Sequence, residues 1–480
     1  MEASRYLIAL VIAGLAIACM VPAATAYLNA LSTDPHPAIN EVAIQRVESW
    51  MASPQADPYL KKVTFSSGVV EGCDSPHHAL CDSWAEKSLR DWIIYGGYSA
   101  DTDDSVVLSH GYDPVSGRGW DGVMYGSYQP ATDWTAGTGN PYSFTRAKSY
   151  LETAMAAPTA SNGISAYAES GYGNAWRSAG ESMHMVSDMT MPSHVWIDRH
   201  PYGDSDPFES SLTRNSVFEV RDMPFSPSVD YDSILATGDI TRLMKDLAAW
   251  THANFYSEDA IPDLQPGREG YVYMTVDGEQ VPAARMSLLS FAAANHGSGR
   301  AVPVYTVADR TILSAQKERV IPAAIQGSAR TLFAFLPRFE ARVDRIVYNP
   351  AYGDPRSGQT VIQGTLVHHP TPVWPSEPAV GNGAFIRVND NPPIRVLPSA
   401  NGGSADLSEI TCIVPAVPGD RVTLFYDFGG FVISSGQVTV PAAAATTRPT
   451  AVVTTDDGME YSENGACARP RGSSLGWICG

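Results

Sequence analysis

Charge is scarce in this 480-residue chain: Asp, Glu, Lys and Arg together make up 17% of it. What charge there is leans acidic, with 51 Asp and Glu against 32 Lys and Arg and a formal net charge of -19. A surface of that sign repels polyanions at long range. It argues against a protein that coats nucleic acid through phosphate contacts. Small phosphate-bearing ligands stay open, because bound metal ions reverse the sign of the local field. Long apolar runs are missing beyond the N-terminus, so no later stretch reads as a membrane span. There is no Gly-x-Ser-x-Gly elbow and no phosphate-binding P-loop, which leaves serine-nucleophile and nucleotide-loop mechanisms without support. Internal repeats and heptads are absent as well. Against these gaps, hydrophobic residues reach 44%, so a folded body is expected rather than disorder.

The N-terminus reads as an export signal over residues 1–26. Arg5 precedes an apolar run from Tyr6 to about Pro22, and Ala24-Thr-Ala26 is a small-residue cleavage pattern. Cleavage after Ala26 leaves Tyr27 as the mature terminus. A lipid anchor on Cys19 is the alternative, although Ala16 stands where such motifs prefer Leu. Either route places the mature chain outside the cell or on its surface, without a transmembrane segment. Disulfides are permitted there. Cys73–Cys81 and Cys467–Cys479 are the pairs closest in sequence, which leaves Cys412 over and buried.

The fold class reads as mainly α, with a small all-β, sandwich-like domain at the C-terminal end. Helices are expected over Pro37 to Trp50, Ser83 to Ile94, Ser143 to Ala157, Asn174 to Met189, Asp239 to Asn254 and Ala315 to Leu336. Pro322 is expected to kink the last of these or to mark its true start. The helical domain spans 27–340, with an inserted hairpin region at about 262–310 signalled by Asp277-Gly278. Alternating stretches such as Thr360-Val-Ile-Gln-Gly-Thr-Leu-Val and Arg421-Val-Thr-Leu-Phe-Tyr place a β-sandwich at 341–441. An Ala/Thr-rich linker and a Cys-containing tail fill 442–480.

The chemistry-bearing signal is Trp176-Arg-Ser-Ala-Gly-Glu-Ser-Met-His184-Met-Val-Ser-Asp188-Met-Thr-Met-Pro192-Ser-His194. His184 and Asp188 are four apart and share a helix face; Pro192 ends the helix and His194 follows. Two imidazoles and a carboxylate converging there suit zinc. The plain alternative is a pair of core histidines capped by Asp188. Further His and Asp residues sit in short Asp-rich or Pro-bounded contexts: His36 after Asp34-Pro35, Asp101, His110, and the loop from His200 to Glu209. Such clustering is not what scattered surface histidines give. Elsewhere, His77-His78 lies between Cys73 and Cys81, in a zinc knuckle or a disulfide-closed loop. His252 reads as packed in a helix and His368-His369 as surface. Trp176 and Trp196 wall a cleft or pack in the core.

These segments carry a resemblance to the zinc-dependent phospholipase C and single-strand-specific nuclease superfamily, in its secreted bacterial or archaeal form. His36-Pro-Ala-Ile-Asn-Glu-Val-Ala resembles the family's first helix, Gly96-Gly-Tyr-Ser-Ala-Asp101 its Asp-bearing segment, and Ser109-His110-Gly-Tyr-Asp-Pro its Ser-His-Phe-Tyr-Asp-Pro run. His184-x3-Asp188-x3-Pro192-x-His194 is its most recognisable pattern, and Asn254-Phe-Tyr-Ser-Glu-Asp-Ala-Ile also matches relatives. The resemblance implies up to three zinc ions. Asp101, His110, His184 and Asp188 would hold one. Asp188 would bridge to a second, held by His36 and the terminal residue Tyr27. His194 and Glu209 would hold a third with one more ligand. The family has His four residues before that Glu; here Ser205 stands there, and His200, Asp204 or Asp206 must substitute. Relatives also show an acidic pair near Asp101, where Asp103 or Asp104 competes as ligand.

The implied activity is zinc-dependent hydrolysis of phosphodiesters by a metal-activated hydroxide, with Asp101 and Asp188 as the catalytic carboxylates. Its substrate would be a phospholipid head group or single-stranded nucleic acid, and the acidic charge favours the former or a small phosphoester. The competing reading is a catalytically weak or inactive surface or adhesion protein. There zinc is a structural staple, and the β domain contacts a cell surface or polymer.

Overall fold

The computed structural model describes residues 34–75, 78, 81–102, 104–122, 126–160, 163–164, 166–198, 206–262, 270–287, 304–351, 354–397, 406–442, 452–454, 459–462, 467–470 and 478–479. The chain is mainly α, with an all-β, sandwich-like part at its C-terminal end. It forms two compact units. One takes the described residues of Met1–Trp50, Gly72–Tyr150 and Gly173–Leu336; the other takes those of Met51–Glu71, Leu151–Tyr172 and Pro337–Gly480. The expected export signal, with Cys19, and Tyr27 lie outside the described residues. Among the described residues no helix is long and apolar enough to cross a membrane.

Six helices organise the first unit. They are α1 (Pro35–Ala52), α2 (Leu89–Ser99), α3 (Ala166–Asp188, in this unit from Gly173), α4 (Pro192–Val195), α5 (Ile240–Asn254) and α6 (Arg310–Phe335). Their starts are chemically marked. Asp34 accepts from the His36 amide, Ser88 from Asp91, Asp239 from Thr241 and Asp309 from Thr311, each offering an oxygen to an otherwise orphaned N–H. The expected helix from Ser83 is instead a strand, Trp84–Ser88, and α2 begins only after it. Ser88 explains the boundary: its cap fixes extended backbone at φ -67, ψ 162. α6 starts earlier than expected and runs through Pro322. A mid-helix proline costs about 3 kcal/mol. Val320, Ile321 and Ile325 beside it are fully buried and return about 1.5–3 kcal/mol each, so burial wins.

α2 and α3 touch backbone to backbone. A Cβ on Gly180 would stand 2.1 Å from the Ile93 carbonyl oxygen, and one on Gly96 would stand 2.3 Å from that of Arg177. Asn40 of α1 locks the contact by donating from Nδ2 to the carbonyls of Ile93 and Gly180, at 3.0 Å each. Trp176 and Phe335 close the core edge to face, their rings 5.8 Å apart. Trp176 is fully buried and is core rather than cleft wall. The inserted hairpin pairs Tyr271–Val276 with Glu279–Ser287, and Val304–Thr306 adds a third strand. Asp277 and Gly278 both have positive φ, 49° and 88°, as a two-residue turn of matching twist requires.

In the second unit, Phe339–Ala351, Asp354–His368 and Glu409–Val414 form one antiparallel sheet. The other runs in the order Val63–Phe65, Phe431–Ser434, Arg421–Phe428, Ala384–Val388, Ile394–Arg395. Alternation is the driver: Arg421–Phe428 buries every second residue. The sheets meet closely, since a Cβ on Gly364 would stand 2.6 Å from Leu424. Val63–Phe65 comes from far upstream and pairs with Phe431–Ile433. Cys73 and Cys81 are disulfide-bonded. Cys412 is free but half-buried rather than buried, and burial pushes its thiol up to about 12. Cys467 and Cys479 are backbone register partners on paired strands of a small four-stranded sheet in the tail. His369 is half-buried and stacks on Tyr59 at 3.6 Å.

The α2–α3 contact yields a prediction. Gly180→Ala should lower unfolding free energy by about 1–3 kcal/mol or more, because the obstructing atoms are backbone and cannot rotate away. Urea unfolding with an unchanged slope would show it; an unaltered midpoint would mean the helices can separate at no cost.

Candidate metal centre

Five chain segments deliver side chains to one place. The last turn of α3 brings His184 and Asp188 onto one face. Pro192 then opens α4, which carries His194. His36 sits in the first turn of α1. Asp101 follows the end of α2 on a turn, its amide donating to the Tyr98 carbonyl at 3.3 Å. His110 ends the turn after the short helix Asp104–Val107. The next segment is tied across by the Tyr112 amide, which donates to the His194 carbonyl at 3.0 Å. His110, His184 and Asp188 are fully buried.

The spacing of the inward atoms is informative. Asp101 Oδ1 lies 3.4 Å from both His110 Nδ1 and His184 Nε2. Asp188 Oδ2 lies 3.0 Å from His110 Nδ1 and 3.3 Å from His184 Nε2. A tetrahedral ion with bonds of about 2.0–2.1 Å has ligand edges of about 3.3 Å. Four edges of such a tetrahedron are therefore in place. Asp188 Oδ1 turns the other way, 3.5 Å from His36 Nε2. On the far side, His194 Nε2 is 2.9 Å from Glu209 Oε1.

Hydrogen bonds behind the rings fix which nitrogen points inward. His184 Nδ1 donates to the Gly97 carbonyl at 2.8 Å, leaving Nε2 as the lone pair. Ser187 spends its hydroxyl proton on the His184 carbonyl, so its oxygen accepts from His36 Nδ1 at 2.8 Å. His36 Nε2 is thereby the lone pair facing Asp188. His194 Nδ1 faces the His110 carbonyl at 3.2 Å, which directs Nε2 to Glu209. Orientation by such outer partners is characteristic of metal-binding imidazoles. The fit to a cation is also seen in the satisfaction of these groups. Both His110 nitrogens, His184 Nε2 and both Asp188 oxygens are buried without a well-formed hydrogen bond. Buried polar atoms are normally paired. Divalent cations, each accepting one lone pair per imidazole and one per Asp188 oxygen, would satisfy His110 Nδ1, His184 Nε2 and the two Asp188 oxygens, which face opposite ways.

Electrostatics agree. Burial works against charge on His184, yet Asp101 and Asp188 outweigh it and hold the imidazole well above its usual range. Burial likewise opposes the Asp188 charge, but His184, His194 and His110 hold this carboxyl well below the ordinary value. His194 is lifted to about 10 against its burial by Asp188 and Glu209. His36 falls to about 4 through burial and the neighbouring His184.

Of the nine metal-binding residues read from sequence, His36, Asp101, His110, His184, Asp188 and His194 converge here, and Glu209 joins through His194. Tyr27 and His200 lie outside the described residues, as do Ser205, Asp204 and Asp103. Asp206 is described: it caps the helix Pro207–Ser211, its Oδ1 accepting from the Phe208 and Glu209 amides. Asp34 was not singled out as a site residue. Burial and the nearby Asp101 push it up to about 7, which couples it to the cluster. Its place directly before Pro35-His36 was the signal that could have found it. Trp196 stacks on His252 at 3.6 Å, and Trp120 lies 5.5 Å from His194, giving the centre aromatic neighbours.

No protein-family model matches the chain, and no curated protein matches it. Among solved structures it is similar to the alpha-toxin of Clostridium perfringens from avian strain SWCP, at 12% identity. That match covers 86% of this chain and 97% of the other, with a TM-score of 0.34. The alpha toxin of Clostridium absonum is similar at 11% identity, with 86% and 97% covered and a TM-score of 0.33. Likenesses this distant bear no weight for chemistry, which rests on the side chains above.

Protonation and metal compete for the same lone pairs, so zinc binding should tighten as pH rises and release protons. Calorimetric titration at pH 6 and pH 8 in buffers of different ionisation enthalpy checks this. The raised value of His184 adds a sign: without metal, its charge stabilises the fold below its usual pKa and is lost as pH rises through the raised one. The melting temperature should then gain most from zinc at the higher pH. Affinity independent of pH would exclude the imidazoles as ligands.

Proposed function

We propose that the chain is a zinc-dependent phosphoester hydrolase, most consistent with a phosphodiesterase of the phospholipase C or nuclease type. The observation that carries this is the four-edged frame of Asp101, His110, His184 and Asp188, with the second Asp188 oxygen shared toward His36. Zinc is the chemically matched ion for imidazole and carboxylate donors in this geometry. Bound on the open side, where Asp188 Oδ1 faces His36, zinc would supply a water of lowered pKa and neutralise phosphoryl charge.

The chain's own groups do the rest. Asp188 would offer one oxygen to an ion beside His110 and His184 and the other to an ion beside His36. Asp101, whose side chain is 39% exposed, is the rim carboxylate and would be the group of the frame placed to meet an incoming water. His36 and His194 are slightly exposed, so the sides they face remain open to a substrate phosphate. The stack of Trp196, two residues after His194 in the chain, on His252 would form one wall of the site. With a formal net charge of -19, the chain offers little attraction to a long polyanion, which favours a phospholipid head group or a small phosphodiester over a nucleic-acid strand. Export and a surface contact through the β unit belong to the same reading.

A structural-staple reading has one observation behind it: the Asp101, His110, His184, Asp188 set is complete without an open position, as structural zinc sites are. Hydrolysis of bis-p-nitrophenyl phosphate separates the two. The enzyme reading expects turnover that chelation abolishes and zinc restores, and a fall of at least about a hundredfold in kcat for Asp188→Asn. A protein fully loaded with zinc that never cleaves the ester would establish the staple. Parallel assays on phosphatidylcholine vesicles and single-stranded DNA assign the substrate.

A further inference from the structure

A second buried polar network lies one turn before His184 on α3. Arg177 and Glu181 pair along the helix, Nε to Oε1 at 2.9 Å. Glu181 also accepts from the Ser99 hydroxyl at 2.7 Å, and its other oxygen meets His78 Nε2 at 2.9 Å. Arg177 donates from Nη1 to the Cys73 carbonyl at 2.8 Å, and its guanidinium lies 3.7 Å from the Tyr142 ring centre. Ser99, Arg177 and Glu181 are all nearly or fully buried. His78 sits inside the loop closed by Cys73–Cys81, so the disulfide constrains the segment that delivers it.

Ser99 is the last residue of α2, and Asp101 follows two residues later. Asp101 is also the most exposed member of the four-donor frame and the one on a turn. A bond from Ser99 to Glu181 therefore fixes the end of α2 against α3 beside the place where Asp101 must meet His184. Resting on the function proposed above, we infer that Glu181, held by His78 and the disulfide-closed loop, is a positioning residue that sets Asp101 in the metal frame through Ser99. His78 and Glu181 thus brace the metal centre without supplying a ligand to it. Neither His77-His78 zinc-knuckle chemistry nor titration of the site is involved.

The test uses the full chain and four variants: Ser99→Ala, Ser99→Thr, His78→Phe, and the double change Cys73→Ser with Cys81→Ser. Zinc affinity is read by competition with a chromophoric chelator, and metal-free stability by urea unfolding. Loss of an outer-shell partner typically weakens metal binding by about 10–100-fold. Ser99→Ala is small and leaves the helix intact, so it should show that loss with little change in metal-free stability. His78→Phe and the double cysteine variant should weaken zinc to a similar degree as each other, because both release the same end of Glu181. Ser99→Thr, which keeps the hydroxyl, should restore affinity. Variants that lose stability but bind zinc within twofold of the parent would make the network merely structural and overturn the inference alone. A parent chain that takes up no zinc would overturn it together with the proposed function.

Discussion

Everything in the helical unit is arranged around a carboxylate that has no business being buried. Asp188 is fully enclosed, with His36, His110, His184 and His194 around it. Taking one such ion out of water costs several kcal/mol even after relaxation. Hydrogen bonds do not return this cost, because neither oxygen makes a well-formed one. The compensation must be charge brought by imidazolium or by metal. That requirement explains why three helices are pressed together closely enough to need Gly96 and Gly180, and why Asn40 is spent on two backbone carbonyls at the crossing. Packing precision here serves the placement of charge.

Much of this was legible in the chain because helices and short motifs write locally. The i, i+4 spacing of His184 and Asp188, the stop at Pro192 and the pair Asp34-Pro35 each encode their own geometry. The β-sandwich alternation and the Asp277-Gly278 turn are local too. What could not be read was set by long-range contact. Val63–Phe65 is too short to stand out and becomes a strand only because Phe431–Ile433 offers an edge. Trp84–Ser88 has helical composition but lies before a capping serine. Glu181 and Arg177 look like ordinary helix charges until Ser99, His78 and the Cys73 carbonyl close over them.

The two buried polar systems on α3 follow different rules. Around Glu181 donors meet acceptors: its two carboxylate oxygens are met by Ser99, Arg177 and His78 without any foreign atom. Around Asp188 lone pairs face lone pairs. One network is self-sufficient and gives rigidity; the other is complete only with a cation. Glu181 lies seven residues, about two helical turns, before Asp188, and that nearness lets one brace the other.

The upstream strand Val63–Phe65 also bears on how the chain is made. Its partner, Phe431–Ser434, is synthesised near the far end, so Val63–Phe65 waits without its mate for most of translation. Ribosome-bound intermediates must keep this segment from pairing elsewhere until its mate emerges. The C-terminal sandwich is therefore not a detachable module. Cut free at Pro337, it would carry an unprotected sheet margin, a known template for self-association.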